Sequence, residues 1–371
     1  MISVPTARDR IALRALTNFL VQVFPDARGV IPQVRVEEVH KVLRSGRFNA
    51  FVRLDVKDFY PSISHDQVLK ELRKRIRKDE ILKVLLAAIR TPTVPDRAMR
   101  RKAEKRGVPQ GLAISNVLAE LVVSPIDAEM KSDDRCVYTR FVDDVLILCD
   151  RADAESLGKK ASNLFRAQGL KVHRISTNSK KSYIGMIEDG FDYLGYTFKG
   201  DRVSVRPSSV HKVESALARI FTQYKKSLGE DSQGEALAKC TWYTNLRITG
   251  CIYKGVARGW LHYFRQMNDR TLLKELDATV RRFERRFEMP ARFRPKSFMR
   301  AYWAIHHPNG RHYGYVPNFD KMPVSEMRTA LIQILGFSKV HNLSDAEVAR
   351  TFDALASKAV MDLERDIGSV S

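Results

Sequence analysis

Two adjacent aspartates, Asp143 and Asp144, stand between apolar runs at residues 137–141 and 145–149, both rich in β-branched and aromatic side chains. That pattern predicts a β-hairpin with carboxylates at its tip. Like charges at such close range destabilise a fold unless a cation compensates them. Mg²⁺ suits the position, because it takes oxygen ligands and usually binds through one or two protein carboxylates plus substrate phosphates. Two such ions about 4 Å apart can activate an attacking hydroxyl and stabilise the leaving oxygen of an in-line displacement. A third carboxylate, Asp55, closes a predicted strand in Arg53-Leu54-Asp55-Val56-Lys57-Asp58-Phe59-Tyr60. Carboxylates at strand ends and turns are common for local reasons, so neither segment decides alone.

The charge balance narrows the partners. With 64 Lys and Arg against 43 Asp and Glu, the net charge is +21, and 44% of the 371 residues are hydrophobic. Such a chain buries a core of two or three domains and attracts polyanions. Residues 70–106 carry 14 basic and 5 acidic side chains, and residues 270–300 carry 10 and 4. Two basic runs far apart in sequence favour a groove along a phosphate backbone, with Arg100, Arg101 and Lys102 in the first wall. No apolar stretch approaches the roughly 20 residues that span a bilayer, and no signal peptide is visible. Cys136, Cys149, Cys240 and Cys251 form no zinc spacing, which points to reduced thiols and a cytoplasmic location.

Helical periodicity is expected over residues 7–24 after a Thr6 cap, 64–78 after a Ser64 capping box, 80–90, 112–130 and 154–168. Short strands are expected at 51–55, 170–173, 191–198 and 203–205. Beyond Pro207 the pattern is helical, at 210–228, 243–266, 271–288, 297–305, 324–335 and 345–365, the last with Ser344 and Glu347 at capping-box spacing. His306, His307 and His312 read as surface polar residues in a Gly/Pro-rich loop.

Taken together, these segments resemble the reverse transcriptases. Phe141-Val142-Asp143-Asp144 resembles their aromatic-x-Asp-Asp signature and residues 54–60 their motif A. Val108-Pro109-Gln110-Gly111 with Ser115 resembles motif B, the Lys180-Lys181 region motif D, and Tyr193-Leu194-Gly195-Tyr196 motif E, the primer grip. The resemblance implies an α+β fold: a right-hand polymerase palm, an antiparallel sheet with helices, with reduced fingers and an all-helical thumb-like C-terminal region. The implied boundaries are 1–50 for fingers, 51–206 for palm with a fingers-type insertion at about 70–110, 207–300 for the thumb-like domain and 301–371 for a helical extension.

By the same resemblance, Asp55, Asp143 and Asp144 are the catalytic carboxylates and hold two Mg²⁺ ions, for which Mn²⁺ could substitute, with the Val56 carbonyl as a further ligand. Tyr60 takes the place of the aromatic gate against a ribose 2′-hydroxyl, which selects dNTPs. Gln110, Gly111 and Ser115 contact the substrate, Tyr193, Leu194, Gly195 and Tyr196 grip the primer, and Lys180 or Lys181 protonates the leaving pyrophosphate. The implied activity is RNA-directed DNA synthesis, with an RNA template and a DNA product.

Two departures qualify the match. Motif B continues Ser115-Asn116 where intron and retron relatives have Ser-Pro, which matches abortive-infection and defence-associated members and implies antiviral defence with a noncoding RNA, a partner protein or a second copy of the chain. The first fingers hairpin is not found, so Arg8, Arg10, Arg53 or Lys57, a partner, the nucleic acid or an upstream segment would hold the triphosphate. The alternatives are a template-independent or RNA-synthesising palm polymerase, and a nucleic-acid-binding scaffold with a retired site. Aromatics at 242–248 and 260–264 fit a hydrophobic core better than base stacking.

Overall fold

A computed structural model of the chain describes residues 3, 5–91, 106–177, 179, 181–229, 232–310 and 314–367. Much of the first basic run, including Arg100, Arg101 and Lys102, lies outside the described residues, as do Lys180 and His312. The described chain divides into two compact units, one essentially residues 1–194 and the other 195–370.

The first unit opens with α1 (Ala7–Val23), whose Thr6 side chain accepts from the Asp9 N–H at 3.2 Å. The next helix, α2 (Pro32–Arg44), falls where the sequence reading assigns no element. Its signals are Pro32 in the first turn and Val36 and Val39 on one buried face. Strand β1 (Ala50–Lys57) leads through Asp58, at φ 44°, into a single turn, α3 (Phe59–Ser62). Helix α4 (His65–Arg73) starts after Ser64 without the expected side-chain cap and ends earlier than predicted; α5 (Asp79–Arg90) follows. Helix α6 (Ser115–Lys131) begins three residues later than expected, because the Ser115 hydroxyl turns back to donate to the Pro109 carbonyl at 2.5 Å.

Strands β2 (Cys136–Phe141) and β3 (Asp144–Cys149) form the predicted hairpin, and α7 (Arg151–Ala167) packs on the sheet. Strand β4 (Lys171–Val172) and a strand absent from the sequence reading, β5 (Tyr183–Met186), complete a five-stranded sheet in which β1 is central. β3 runs antiparallel along one side of β1, and β5 and then β4 share the other side. Leu54, Val145, Ile147, Leu118 and Phe165 are fully buried in the core between this sheet and the helices. That burial, of the order of 2 kcal/mol per side chain, fixes the register of β1.

The predicted strand 191–198 is a hairpin, β6 (Phe191–Tyr193) and β7 (Tyr196–Lys199), followed by β8 (Arg202–Val205). The second unit is helical as expected, with one exception. After α8 (Pro207–Ser227) and α9 (Gln233–Thr249), the predicted helix at 243–266 breaks into a hairpin, β9 (Cys251–Tyr253) and β10 (Val256–Arg258), and a single turn, α10 (Trp260–Tyr263). Gly250 causes the break: it sits at φ 64°, and a Cβ there would lie 2.0 Å from the Arg258 carbonyl oxygen. Helices α11 (Arg270–Arg286), α12 (Phe298–His306), α13 (Val324–Leu335) and α14 (Asp345–Ile367) follow the sequence pattern closely. Ser344 and Glu347 make both bonds of the capping box. Trp260 and Phe264 are core residues, and all four cysteines are free and buried. Among the described residues no helix is long and apolar enough to cross a membrane.

Candidate active site

Antiparallel pairing of β1 with β3 sets Asp55 directly opposite Asp144. Asp143 occupies the two-residue turn with Val142, because Phe141 pairs with Asp144 across the hairpin. The Asp143 carbonyl accepts from the Val56 N–H at 3.0 Å, which ties the turn to the strand that carries Asp55. Val142 sits at φ 55°, a left-handed conformation that costs a β-branched residue about 1–3 kcal/mol. Its carbonyl accepts from Arg140 at 2.8 Å, and the buried Arg140 guanidinium is held in turn by Glu120 and Asp127 of α6. The three aspartates named from sequence are therefore brought together by one strand pair and one clamped turn.

Each carboxylate has its own surroundings. Asp144 is 6% exposed, and Arg53 grips both of its oxygens, at 3.1 and 2.9 Å. Arg53 also donates to the Asp192 carbonyl at 2.9 Å. Asp55 is met by Lys181 Nζ at 3.0 Å and His173 Nε2 at 3.2 Å, and its backbone N–H donates to the Ser182 hydroxyl oxygen. Sequence reasoning missed His173, Ser182 and Arg53 in these roles; the two-residue spacing of Arg53 from Asp55, on one face of the strand, was the available signal. Asp143 Oδ1 is buried with no hydrogen-bond partner among the described residues. Burial raises the pKa of both Asp143 and Asp144, and the Asp55 charge raises them further, against the opposing pull of Arg53 on Asp144.

This is a hard-oxygen donor set in need of positive charge, which fits Mg²⁺ by chemistry. The orphaned Asp143 oxygen is the acceptor such an ion would satisfy. Among the described residues no three acidic, His or Cys side chains are gathered into a ready-made cage, because Arg53, His173 and Lys181 already face two of the three carboxylates.

The other expected residues fall around this centre. Backbone bonds from Val108 to the Tyr60 carbonyl and from Gly107 to the Ile63 carbonyl lay the motif B segment against α3. The Tyr60 hydroxyl donates to Asn116 Oδ1 at 3.3 Å, so the Asn that departs from the intron pattern holds the expected gate. Burial, with the charges of Glu120 and Asp143 nearby, pushes the Tyr60 pKa up to about 12. Gln110 is exposed, with its carbonyl accepting from the Ser3 N–H, and Gly111 sits at φ 97°. Arg10 and Arg14 line a cavity of about 410 Å³ with Gly111 and Leu112. Ser115 is buried and its hydroxyl is committed to Pro109, so it shapes the loop that presents Gln110.

The Tyr193 and Tyr196 rings are fully buried, and Tyr196 donates to the Tyr263 carbonyl at 2.6 Å. Leu194 and Gly195 form the turn between them, at φ 50° and 82°. His306 and His307 are exposed and bond only to backbone carbonyls.

A family model described as reverse transcriptase (RNA-dependent DNA polymerase) matches residues 1–198. The chain is similar to a COX1/OXI3 intron 1 protein of Saccharomyces cerevisiae, 25% identical over 135 residues that make up 34% of this chain and 16% of that protein. Solved structures similar to it include a telomerase from Candida albicans in complex with a TWJ fragment of telomeric RNA (13% identity, 97% of this chain and 53% of that chain, TM-score 0.42). An apo telomerase from Candida tropicalis is also similar (13% identity, 97% and 57% coverage, TM-score 0.44). The chain thus spans about a sixth of the yeast protein and a little over half of the telomerases. More than half of the chain matches the family model, and that match contains the strand pair and turn that assemble Asp55, Asp143 and Asp144: the chain belongs to the reverse transcriptase family.

Proposed function

We propose that this protein is an RNA-directed DNA polymerase that joins dNTPs by two-metal nucleotidyl transfer at Asp55, Asp143 and Asp144. The observation that carries the reading is the convergence of these carboxylates on β1 and the β2–β3 turn, with one buried oxygen of Asp143 unpartnered. In this reading residues 51–206 act as palm, with the fingers before them and the thumb-like helices after. Mg²⁺ held by the three aspartates and the Val56 carbonyl would supply the charge that activates a primer hydroxyl and stabilises the leaving oxygen. Tyr60, steadied by Asn116, excludes a ribose 2′-hydroxyl. Lys181, beside Asp55, is within reach of the reacting phosphates and carries the proton for pyrophosphate. Gln110 on its exposed loop meets the nascent base pair, and the Leu194-Gly195 turn supports the primer.

The finer reading follows from the Pro109-Gln110-Gly111 and Ser115-Asn116 pattern: synthesis on a noncoding RNA for antiviral defence, with a partner protein or second copy completing the triphosphate clamp. Free, buried cysteines suit a reducing, cytoplasmic setting. Purified protein given a primed RNA template, Mg²⁺ and dNTPs should make DNA. Changing Asp143→Asn and Asp144→Asn together should reduce synthesis by about a thousandfold or more. Synthesis that survives the double change would overturn the assignment.

One observation favours a retired scaffold instead: Arg53 and Lys181 already pair with two of the three carboxylates. A ligand that binds only the folded state raises its melting temperature. No upward shift with Mg²⁺ or Mn²⁺ plus dNTP would support the scaffold.

A further inference from the structure

A concavity of about 930 Å³, open to one side, is lined by one face of α7, β4, the segment that follows β4, Lys57 of β1 and Ile184 of β5; none of the three aspartates lines it. Six Lys and Arg side chains line it against one acid, Glu155, which itself lies 3.8 Å from Arg151. Among the described residues, Lys57, Lys159, Lys171 and Arg174 are exposed and face no carboxylate within ion-pairing distance. Four unpaired cations around one concavity repel one another, and a polyanion relieves that repulsion. Behind them the lining is apolar and more deeply set: Leu170, Val172, Ile175 and Ile184. Ser162 and Asn163 add hydrogen-bonding groups on the α7 side. A cationic rim, an apolar floor, a few polar groups and a volume in the usual range for small-ligand sites together describe the needs of a nucleotide. The phosphates would take the rim and the base the floor.

From this arrangement we propose that the cavity binds a nucleoside triphosphate. A phosphodiester strand would use the cations but not the apolar floor, which favours the free nucleotide. His173 lines the cavity and contacts Asp55 at 3.2 Å, so the bound nucleotide lies one side chain from the aspartates. The site stands on its own lining; the polymerase reading adds only that the nucleotide is also the substrate.

The test is equilibrium dialysis of the full chain with radiolabelled dATP in EDTA, where binding through a catalytic metal is suppressed. Wild type and the Asp143→Asn, Asp144→Asn variant should bind alike. Lys171→Glu combined with Arg174→Glu, and separately Lys159→Glu on the opposite wall, should weaken binding by roughly tenfold or more, with unchanged melting temperatures. Equal binding by the charge-reversed variants, or no binding by wild type, would overturn the site. So would inorganic triphosphate competing as well as dATP, or a short RNA without a terminal triphosphate displacing dATP at lower concentration. DNA synthesis and dATP binding in EDTA are read separately. A protein that binds but makes no DNA keeps the site and loses the polymerase reading; one that polymerises but does not bind does the reverse.

Discussion

The hairpins β2–β3 and β9–β10 have the same length of turn and opposite chemistry. In β9–β10 the two central residues, Lys254 and Gly255, both take positive φ, 52° and 71°. That is the twist a two-residue hairpin prefers, with glycine where it costs least. Their N–H groups donate to the two oxygens of Asp320, at 2.6 and 2.8 Å, so a carboxylate 65 residues further along the chain satisfies the turn. In β2–β3 the turn is Val142-Asp143, with a β-branched residue at φ 55° and a carboxylate left with an orphaned oxygen. It is held by Arg140 of its own hairpin on the Val142 carbonyl and by β1 on the Asp143 carbonyl. One turn closes a hairpin; the other aims a functional group.

The largest effect should come from removing what holds the strained turn. Arg140→Ala leaves Glu120 and Asp127 without their shared buried partner, and should cost about 3–5 kcal/mol in urea unfolding. A loss below about 1 kcal/mol would mean that the network does not clamp the turn.

The second unit has its own weak point near its hairpin. Burial, with Arg265 close by, lowers the His262 pKa from 6.5 to about 4 in the folded state. The unfolded chain then binds the proton first, so stability falls as the pH drops from about 6.5 to about 4, by on the order of 3 kcal/mol in total. Unfolding at pH 7, 5 and 4 checks the sign, and His262→Gln should flatten that part of the profile.

The paired turn substitutions should give smaller effects that differ in kind. Gly255→Val puts a β-branched residue at φ 71° and should destabilise by about 2 kcal/mol. Val142→Gly relieves the strain, so stability should stay within about 1 kcal/mol of wild type. DNA synthesis should nevertheless fall roughly tenfold or more, because the aspartates lose their fixed aim. Full activity in Val142→Gly would show that the strain has no functional purpose.

The sequence by itself determined the local elements and the chemistry available to them. Apolar, β-branched runs on either side of Asp143 and Asp144 specified the hairpin, and the Thr6 and Ser344 caps marked helix starts that the structure contains. The ordered motifs identified the family, because each motif is contiguous and carries its signal in adjacent residues. Strand β5 is short and helix α2 only partly patterned, and the Gly250 break depends on an approach of Arg258 that no local pattern reveals.

Only the tertiary structure decided how the site is charged and held. The Arg53–Asp144 pair joins residues 91 apart, Lys181 meets Asp55 across 126, and Tyr60 meets Asn116 across 56. The burial of the Tyr193 and Tyr196 rings is likewise a property of the packed chain, which residue type alone does not reveal. Carboxylates can be counted in a sequence, but their pKa values and partners are set by which strands pair and what water the packing excludes.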